Sequence, residues 1–277
     1  MPAHAEAVEA VSEILGRVGY NGVAVEEPLD RDGLHVVKAY LVHDHVSRIR
    51  VRRVRDALGH LQAFGLGPIG DLAVREIKEE AWLETWKASF KPIRVGAFLV
   101  RPTWSDADPG DAVVLSLDPG MAFGTGLHPT TQGCLRALSR LEVSGVRVAD
   151  VGTGSAILAI AAAKRGAREV VGLDIDEVAI REAKENAVRN DVEIALGIGS
   201  AADLDGTFDV VLANIVAAVL HKIAPELVAH LAIGGRLIVA GIIATEEDET
   251  VAAFAAAGLR VVAHDQEGDW VSLELTR

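Results

Sequence analysis

Cysteine is nearly absent from this 277-residue chain. The single thiol, Cys134, excludes an internal disulfide and a cysteine-cluster metal site, and no metal site of any kind is expected. Its place in a helical pattern reads as a small apolar residue rather than a reactive one. Apolar runs of about 18 residues or more are also missing, so no membrane-spanning helix is indicated. The opening Met1-Pro2-Ala3-His4-Ala5-Glu6 lacks the charged-then-apolar pattern of a secretory signal. These absences describe a reduced, cytosolic protein with no membrane partner.

Positive charge is scarce as well. Lys and Arg number 27 against 40 Asp and Glu, a formal net charge of −13. Nucleic-acid binding rests on neutralising phosphates, so direct nucleic-acid recognition is not expected. A basic protein partner suits the acidic surplus, and so does plain solubility. One segment runs the other way, with Arg48, Arg50, Arg52, Arg53 and Arg55 in close succession. At helical spacing Arg48, Arg52 and Arg55 share one face, while Val51, Val54, Leu58 and Leu61 make an apolar one. That pattern reads as a solvated face of an amphipathic helix before it reads as a docking patch.

Hydrophobic residues make up 50%, enough for one large domain plus a small one. Residues 5–18 read as a helix, with Val8, Val11, Ile14, Leu15 and Val18 on one side and Gly19 and Gly22 stopping it. Strands follow at 22–26 and 34–42, joined through Asp30, Asp32 and Gly33. The basic helix covers 45–63, and a third strand is expected at 72–77. This module, 1–77, is followed by a charged linker helix at 78–91, where Trp82 and Trp86 share a face.

From residue 92 the pattern changes. Segments 95–101 and 112–117 read as extended. Strands are then expected at 146–151, 169–174, 192–198, 208–214 and 235–242, with helices at 130–141, 155–165, 176–189, 216–231 and 246–257. Segments 261–264 and 270–276 close the chain as a hairpin-like pair. Such alternation predicts an α/β fold, a doubly wound, Rossmann-like, mainly parallel seven-stranded sheet whose last strand is antiparallel.

The segment richest in chemical meaning is Val148-Ala149-Asp150-Val151-Gly152-Thr153-Gly154-Ser155, followed 24 residues after Asp150 by Asp174. An apolar run enters a Gly-x-Gly turn and a helix follows at once. The arrangement predicts backbone N–H groups and a helix N-terminus facing a ligand. A carboxylate at the next strand end, Asp174, can accept both hydroxyls of a ribose. The dinucleotide fingerprint wants a third glycine or alanine, and Ile157 stands there instead. The pattern therefore suits S-adenosylmethionine, which carries no phosphate. Its methionine part can lie over Gly152 and Gly154, and its ribose can reach Asp174.

Two further segments bear on the reaction. The strand Phe208-Asp209-Val210-Val211-Leu212-Ala213-Asn214 ends beside the glycine turn, and Asn214 can accept hydrogen bonds from an attacking nitrogen. No Pro-Pro-aromatic run follows, which favours an aliphatic amine over an extruded base. A cap on the next helix is the structural alternative for Asn214. The loop Asp118-Pro119-Gly120-Met121-Ala122-Phe123-Gly124-Thr125-Gly126-Leu127-His128-Pro129-Thr130-Thr131 is too rich in glycine for a mere connector. Phe123 is placed to cover the cofactor, and Thr131 to bond its carboxylate from a helix start. His128 is read as part of that helix start rather than as a base.

That loop closely resembles the signature of the bacterial enzymes that methylate large-subunit ribosomal protein eleven. So do Trp82-Leu83-Glu84-Thr85-Trp86-Lys87 with Phe90-Lys91-Pro92, Asp150-Val151-Gly152-Thr153-Gly154-Ser155, Ala213-Asn214-Ile215 and the closing Asp269-Trp270-Val271. The motifs run in the same order from about residue 5 to the end. The resemblance implies a class I methyltransferase domain over 92–277 that uses S-adenosylmethionine, with Thr131, Gly152, Asp174 and Asn214 on the cofactor. It also implies a ferredoxin-like domain over 1–77 that grips ribosomal protein eleven, joined by the linker helix. The implied targets are lysine ε-amines and the N-terminal α-amine, with the enzyme acting as a monomer in the cytoplasm. Two departures stand out. Ala156 occupies a position where many members have glycine, and the first strand of the ferredoxin-like domain is missing or lies upstream. The rival expectations are a methyltransferase for another protein or a small amine, and a catalytically silent nucleoside-binding module.

Overall fold

The computed structural model describes residues 2–16, 23–26, 34–39, 41, 46–63, 69–75, 91–118 and 128–277. The chain divides into two compact units, Met1–Lys87 and Ala88–Arg277.

In the first unit, β1 (Pro2–His4) leads directly into α1 (Ala5–Gly16). Strands β2 (Val23–Glu26) and β3 (Leu34–Ala39) come next, then α2 (Ser47–Ala63). The antiparallel sheet has the order β1-β3-β2. The expectation of a missing first strand is thereby corrected. Pro2, Ala3 and His4 pair with Val36, His35 and Leu34, in a strand too short to leave a period-2 signature. The expected third strand at 72–77 is absent over 72–75, and 76–77 lie outside the described residues. Pairing at that edge is a single bridge at Ile69, with the Gly70 N–H donating to Pro2 O at 2.8 Å, and 71–75 carry no ladder.

The apolar stripe of α1, Ala7, Val11 and Leu15, packs with Val37, Val54, Leu58 and Ile69 into this unit's own core. On α2, Val54 and Leu58 are buried while Arg48, Arg52, Arg53 and Arg55 are exposed, the outcome that 3.6-residue spacing predicts. The turn through Asp30, Asp32 and Gly33, and the linker segment with Trp82 and Trp86, lie outside the described residues.

The second unit opens with a small sheet of β4 (Ile93–Val95), β5 (Phe98–Arg101) and β6 (Val113–Ser116). Segment 95–101, expected as one extended run, is a hairpin turned at Gly96, with β4 antiparallel to β5. Then come α3 (Pro129–Arg140), β7 (Arg147–Val151), α4 (Ile157–Lys164), β8 (Glu169–Asp174) and α5 (Glu177–Arg189). They are followed by β9 (Ala195–Ile198), β10 (Phe208–Asn214), α6 (Ala217–Ala229), β11 (Leu231–Ile243) and α7 (Glu247–Ala256). The hairpin β12 (Arg260–Glu267) and β13 (Trp270–Thr276) ends the chain.

The main sheet has seven strands in the order β12-β13-β11-β10-β7-β8-β9, and only β13 is antiparallel to its neighbours. This is the Rossmann-like sheet that the alternation predicts. Side chains alternate between two cores, as a sheet covered on both faces requires. Val148, Leu212 and Ile238 pack with α3 and α4, while Ala149, Val151, Val211 and Val239 pack with α6 and α7. The chain steps outward through β8 and β9, then returns to place β10 on the other side of β7. The strand order reverses there, and the carboxyl ends of β7 and β10 flank the crevice where ligands bind in open α/β sheets.

Candidate functional site

The turn after β7 is built by left-handed backbone. Gly152, Gly154 and Ala156 have φ of 70°, 54° and 63°. At Gly152 a side chain is excluded twice, by its φ and because a Cβ would sit 2.8 Å from Ile215 Cγ1. The turn's own N–H groups, expected to face a ligand, are instead used inside the fold. Gly152 and Thr153 donate to Leu173 O at 2.8 and 3.0 Å, and Ala156 donates to Thr153 O at 2.8 Å. Gly154 donates to Asp174 Oδ2 at 2.9 Å. A turn so satisfied offers no nest for a pyrophosphate, which agrees with the missing third glycine.

Asp150 braces this turn. It is 1% exposed and lies beneath the turn. Its Oδ2 accepts the Thr153 hydroxyl at 2.7 Å and the Ala159 N–H at 3.2 Å, in the first turn of α4. Asp150, expected on the cofactor, holds the turn and the helix start from below. Burial pushes its carboxyl up to about 6 from an ordinary 3.8, against the pull of those two bonds, and the nearby charge of Asp174 adds to the rise. The folded chain thus holds this proton longer than the unfolded chain does. Stability from this group is complete below about pH 4 and is lost as pH rises through about 6, by about 3 kcal/mol. Asp150→Asn should flatten that slope. Urea midpoints at pH 4 and pH 7 check this, and an unchanged difference between parent and variant would refute it.

Asp174 ends β8 half-buried, and both its oxygens are engaged by backbone. Oδ2 takes the Gly154 N–H, and Oδ1 takes the Asp176 N–H at 3.0 Å. Each oxygen keeps a further lone pair for a hydroxyl donor. Sequence reasoning missed its surroundings. Ile175, 81% exposed, follows it directly, and Ile198, 62% exposed, is its register partner on β9. Exposed isoleucines at two adjacent strand ends form an apolar ledge beside a carboxylate. Their signal was available, since an isoleucine that leaves the strand alternation at a sheet's carboxyl edge has no core to enter.

Across the crevice, α3 starts as expected. His128 is its N-cap and Pro129 its first residue, and the His128 ring accepts from the Thr130 N–H. That ring meets Trp270 edge-on at 4.7 Å, and desolvation lowers its pKa. Thr131, fully buried, accepts Asn214 Nδ2 on its hydroxyl at 3.3 Å. The helix cap considered for Asn214 is absent, because the N-cap of α6 is Val216. Among the described residues Asn214 Oδ1, itself buried, has no hydrogen-bond partner. The backbone beside it is held tightly. The Ile215 N–H donates to Ala240 O at 3.0 Å, and Gly241, at φ 87°, approaches so close that a Cβ would lie 2.4 Å from Ile215 O.

A family model described as ribosomal protein L11 methyltransferase matches residues 1–277. The chain belongs to that family. It is 42% identical to the ribosomal protein L11 methyltransferase of Chloroflexus aurantiacus, over 97% of this chain and 94% of that one. It is also 42% identical to the same-named protein of Geobacter sulfurreducens, over 96% and 93%. The crystal structure of a ribosomal protein L11 methylase from Lactobacillus delbrueckii subsp. bulgaricus is similar at a TM-score of 0.64 and 38% identity. It covers 68% of this chain and 99% of that one.

Within this family member, Asp174, Gly152, Gly154 and Asn214 come together at the carboxyl ends of β7, β8 and β10, and Thr131 joins them from α3. Phe123, Gly120, Gly124 and Gly126 lie outside the described residues. Ala156, the departure from glycine, adopts the left-handed conformation that glycine favours and opens α4 without a side-chain cap. Among the described residues no group of His, Cys, Asp and Glu could hold a metal ion, and no helix is long and apolar enough to cross a membrane.

Proposed function

We propose that this methyltransferase moves methyl groups from S-adenosylmethionine to lysine ε-amines and the N-terminal α-amine of ribosomal protein L11. One observation carries the chemistry: at the strand-order reversal the buried Asn214 Oδ1 has no partner among the described residues. A buried acceptor without a donor costs about 1–3 kcal/mol, so a site that keeps one is built for a donor that arrives. An amine N–H is such a donor.

The residues present fit the cofactor. Asp174 would hold the ribose hydroxyls, with the Ile175 and Ile198 ledge against the purine. Gly152 and Gly154 would lie under the methionine part, and Thr131, in the first turn of α3, would face its carboxylate where helix N–H groups lack intrahelical partners. When bound, the cofactor supplies a methyl on a sulfonium, already activated for transfer. What remains for the protein is alignment and desolvation. Asn214 Oδ1 would accept one amine N–H and turn the lone pair toward the methyl. The amine must arrive neutral, and a free lysine titrates near about 10.4. Val216, Val219 and Ile243, exposed beside the ends of β10 and β11, supply an apolar rim that strips water and favours the uncharged form. No side chain is needed as a base, and water takes the proton. The first unit would grip the ribosomal protein, as the ferredoxin-like recognition domain of a monomeric cytoplasmic enzyme.

Mass spectrometry of ribosomal protein L11 after incubation with the chain and S-adenosylmethionine tests this reading. Added methyls on lysine and the N-terminus are expected. Cofactor turnover with other amines but none on this protein would move the assignment to another substrate, and no turnover with any amine would leave a silent binding module. The ribose assignment has its own test. Asp174→Asn keeps an acceptor for the Gly154 N–H while removing the charge. S-adenosylhomocysteine should then bind about 10- to 150-fold more weakly, the loss of 1.5–3 kcal/mol expected for a charge-assisted bond. Calorimetric titration measures it, and parental affinity in the folded variant contradicts the assignment.

A further inference from the structure

We infer that Trp270 is a specificity-determining residue, an aromatic wall of the amine crevice that holds amines already carrying methyl groups. The inference rests on the proposed transfer to an amine beside Asn214. It supplies what that reading lacks once the amine runs out of hydrogen-bond donors.

Before each round the amine gives one proton to water. Its lone pair then forms the N–C bond as the S–CH₃ bond breaks, and sulfur keeps the bonding pair. A neutral primary amine brings two N–H donors to Asn214 Oδ1, a methylated one brings one, and a dimethylated one brings none. An acceptor can therefore orient the first two rounds and has nothing to hold in a third. Each methyl meanwhile adds apolar area, and the charged form of a methylated amine is drawn to an aromatic face. An amine taken past two methyls needs such a surface close to the acceptor.

The register of the sheet puts one there. Asn214 pairs with Ala240 on β11, and Ala240 pairs with Ser272 on β13. Ser272 faces α3, since a Cβ on Gly133 would lie 2.4 Å from its Oγ. Asn214 faces α3 as well, through its contact with Thr131. Trp270 stands two residues before Ser272 and so takes the same face. Its ring meets that of His128, the N-cap of α3, at 4.7 Å. Asn214 and Trp270 thus touch α3 at Thr131 and His128, three residues and about 4.5 Å of helix rise apart. The four-carbon stem of a lysine is long enough to bridge them. Trp270 is only half-buried, and Ile243, its register partner and 41% exposed, continues the wall along β11. An amine held at Asn214 would therefore lie with its stem or its methyls against this indole.

Packing on His128 also props the start of α3, and the two roles differ in what they affect. A mere prop would act through α3, weakening cofactor binding and slowing every round alike. A wall for methylated amines affects the later rounds most. The test gives the full chain S-adenosylmethionine and three lysine peptides, bearing no, one and two ε-methyls. Trp270→Ala should lower kcat/KM about tenfold on the dimethyl peptide and less than about threefold on the unmethylated one. Affinity for S-adenosylhomocysteine, measured by calorimetry, should stay within about twofold of the parent's. Trp270→Phe keeps an aromatic face and should restore the dimethyl step to within about threefold. Where alanine disturbs folding, Trp270→Leu, which lacks that face, carries the same comparison. An equal loss on all three peptides, no loss on any, or a parent that never methylates the dimethyl peptide overturns the inference and leaves the role of Asn214 standing. A parent chain inactive on every amine fails the functional reading itself, and this inference falls with it.

Discussion

Asn214→Ala is expected to slow methyl transfer by about 100- to 1,000-fold under single-turnover conditions at saturating cofactor. The scale is that of removing one preorganised hydrogen-bonding group from a reacting centre. Three features make the loss larger than one exposed hydrogen bond would suggest. The acceptor is buried and unpaired among the described residues, so in the complex the amine N–H would meet it in place of water. The Ile215 peptide is pinned between Ala240 O and Gly241, so the neighbouring backbone cannot shift to fill the gap. The alanine variant also leaves Thr131 Oγ1 without its donor. Cofactor affinity should fall much less than rate, since the proposed contact of Asn214 with the cofactor is only partial. Pre-steady-state methylation at several cofactor concentrations separates the two, and a saturated rate equal to the parent's would reduce Asn214 to a binding residue.

Much of the fold could be read beforehand because it rests on periodicity. The strands 208–214 and 169–174 and the helix 176–189 emerge within a residue of their expected ends, each bounded by apolar alternation or by a cap such as Asp176, which accepts the Val178 N–H. Elements below the length of a period were not legible. A three-residue strand at Pro2–His4 has no alternation to detect, and the hairpin turn at Gly96 interrupts an apolar run that looks continuous.

The same division applies to the site. Residue types at strand ends were visible in the motifs, but their hydrogen bonds are tertiary and were not. Asp150 looked like a ligand contact because it stands two residues before Gly152, yet it points beneath the turn and meets Thr153 and Ala159. The glycine turn looked like a set of donors, yet its N–H groups close on Leu173 and Asp174. Asn214 could be a helix cap or an acceptor from sequence alone, and the N-cap at Val216 excludes the first.

The second large effect concerns the division of labour between the two units. A fragment of residues 92–277 should bind S-adenosylmethionine with near-parental affinity but lose about 100-fold or more of its activity on whole ribosomal protein L11. Physical grounds favour its folding alone. Among the described residues the buried members of the second unit's two cores run from Val95 to Leu275, and Asp174, Gly152, Asn214 and Thr131 all lie within that unit. The first unit has a core of its own and contributes none of these groups. Its proposed task is to hold the substrate, which makes each methylation effectively intramolecular. Avidity of that kind is worth about 100- to 10,000-fold and vanishes when the grip is removed. A short lysine peptide has nothing for the first unit to hold, so fragment and full chain should methylate it at similar rates. The comparison of two substrates guards against a trivial result, because a misfolded fragment would fail on both and would also fail to bind the cofactor in calorimetry. Equal activity of fragment and full chain on the whole ribosomal protein would show that recognition resides in the second unit, and the first would need another role.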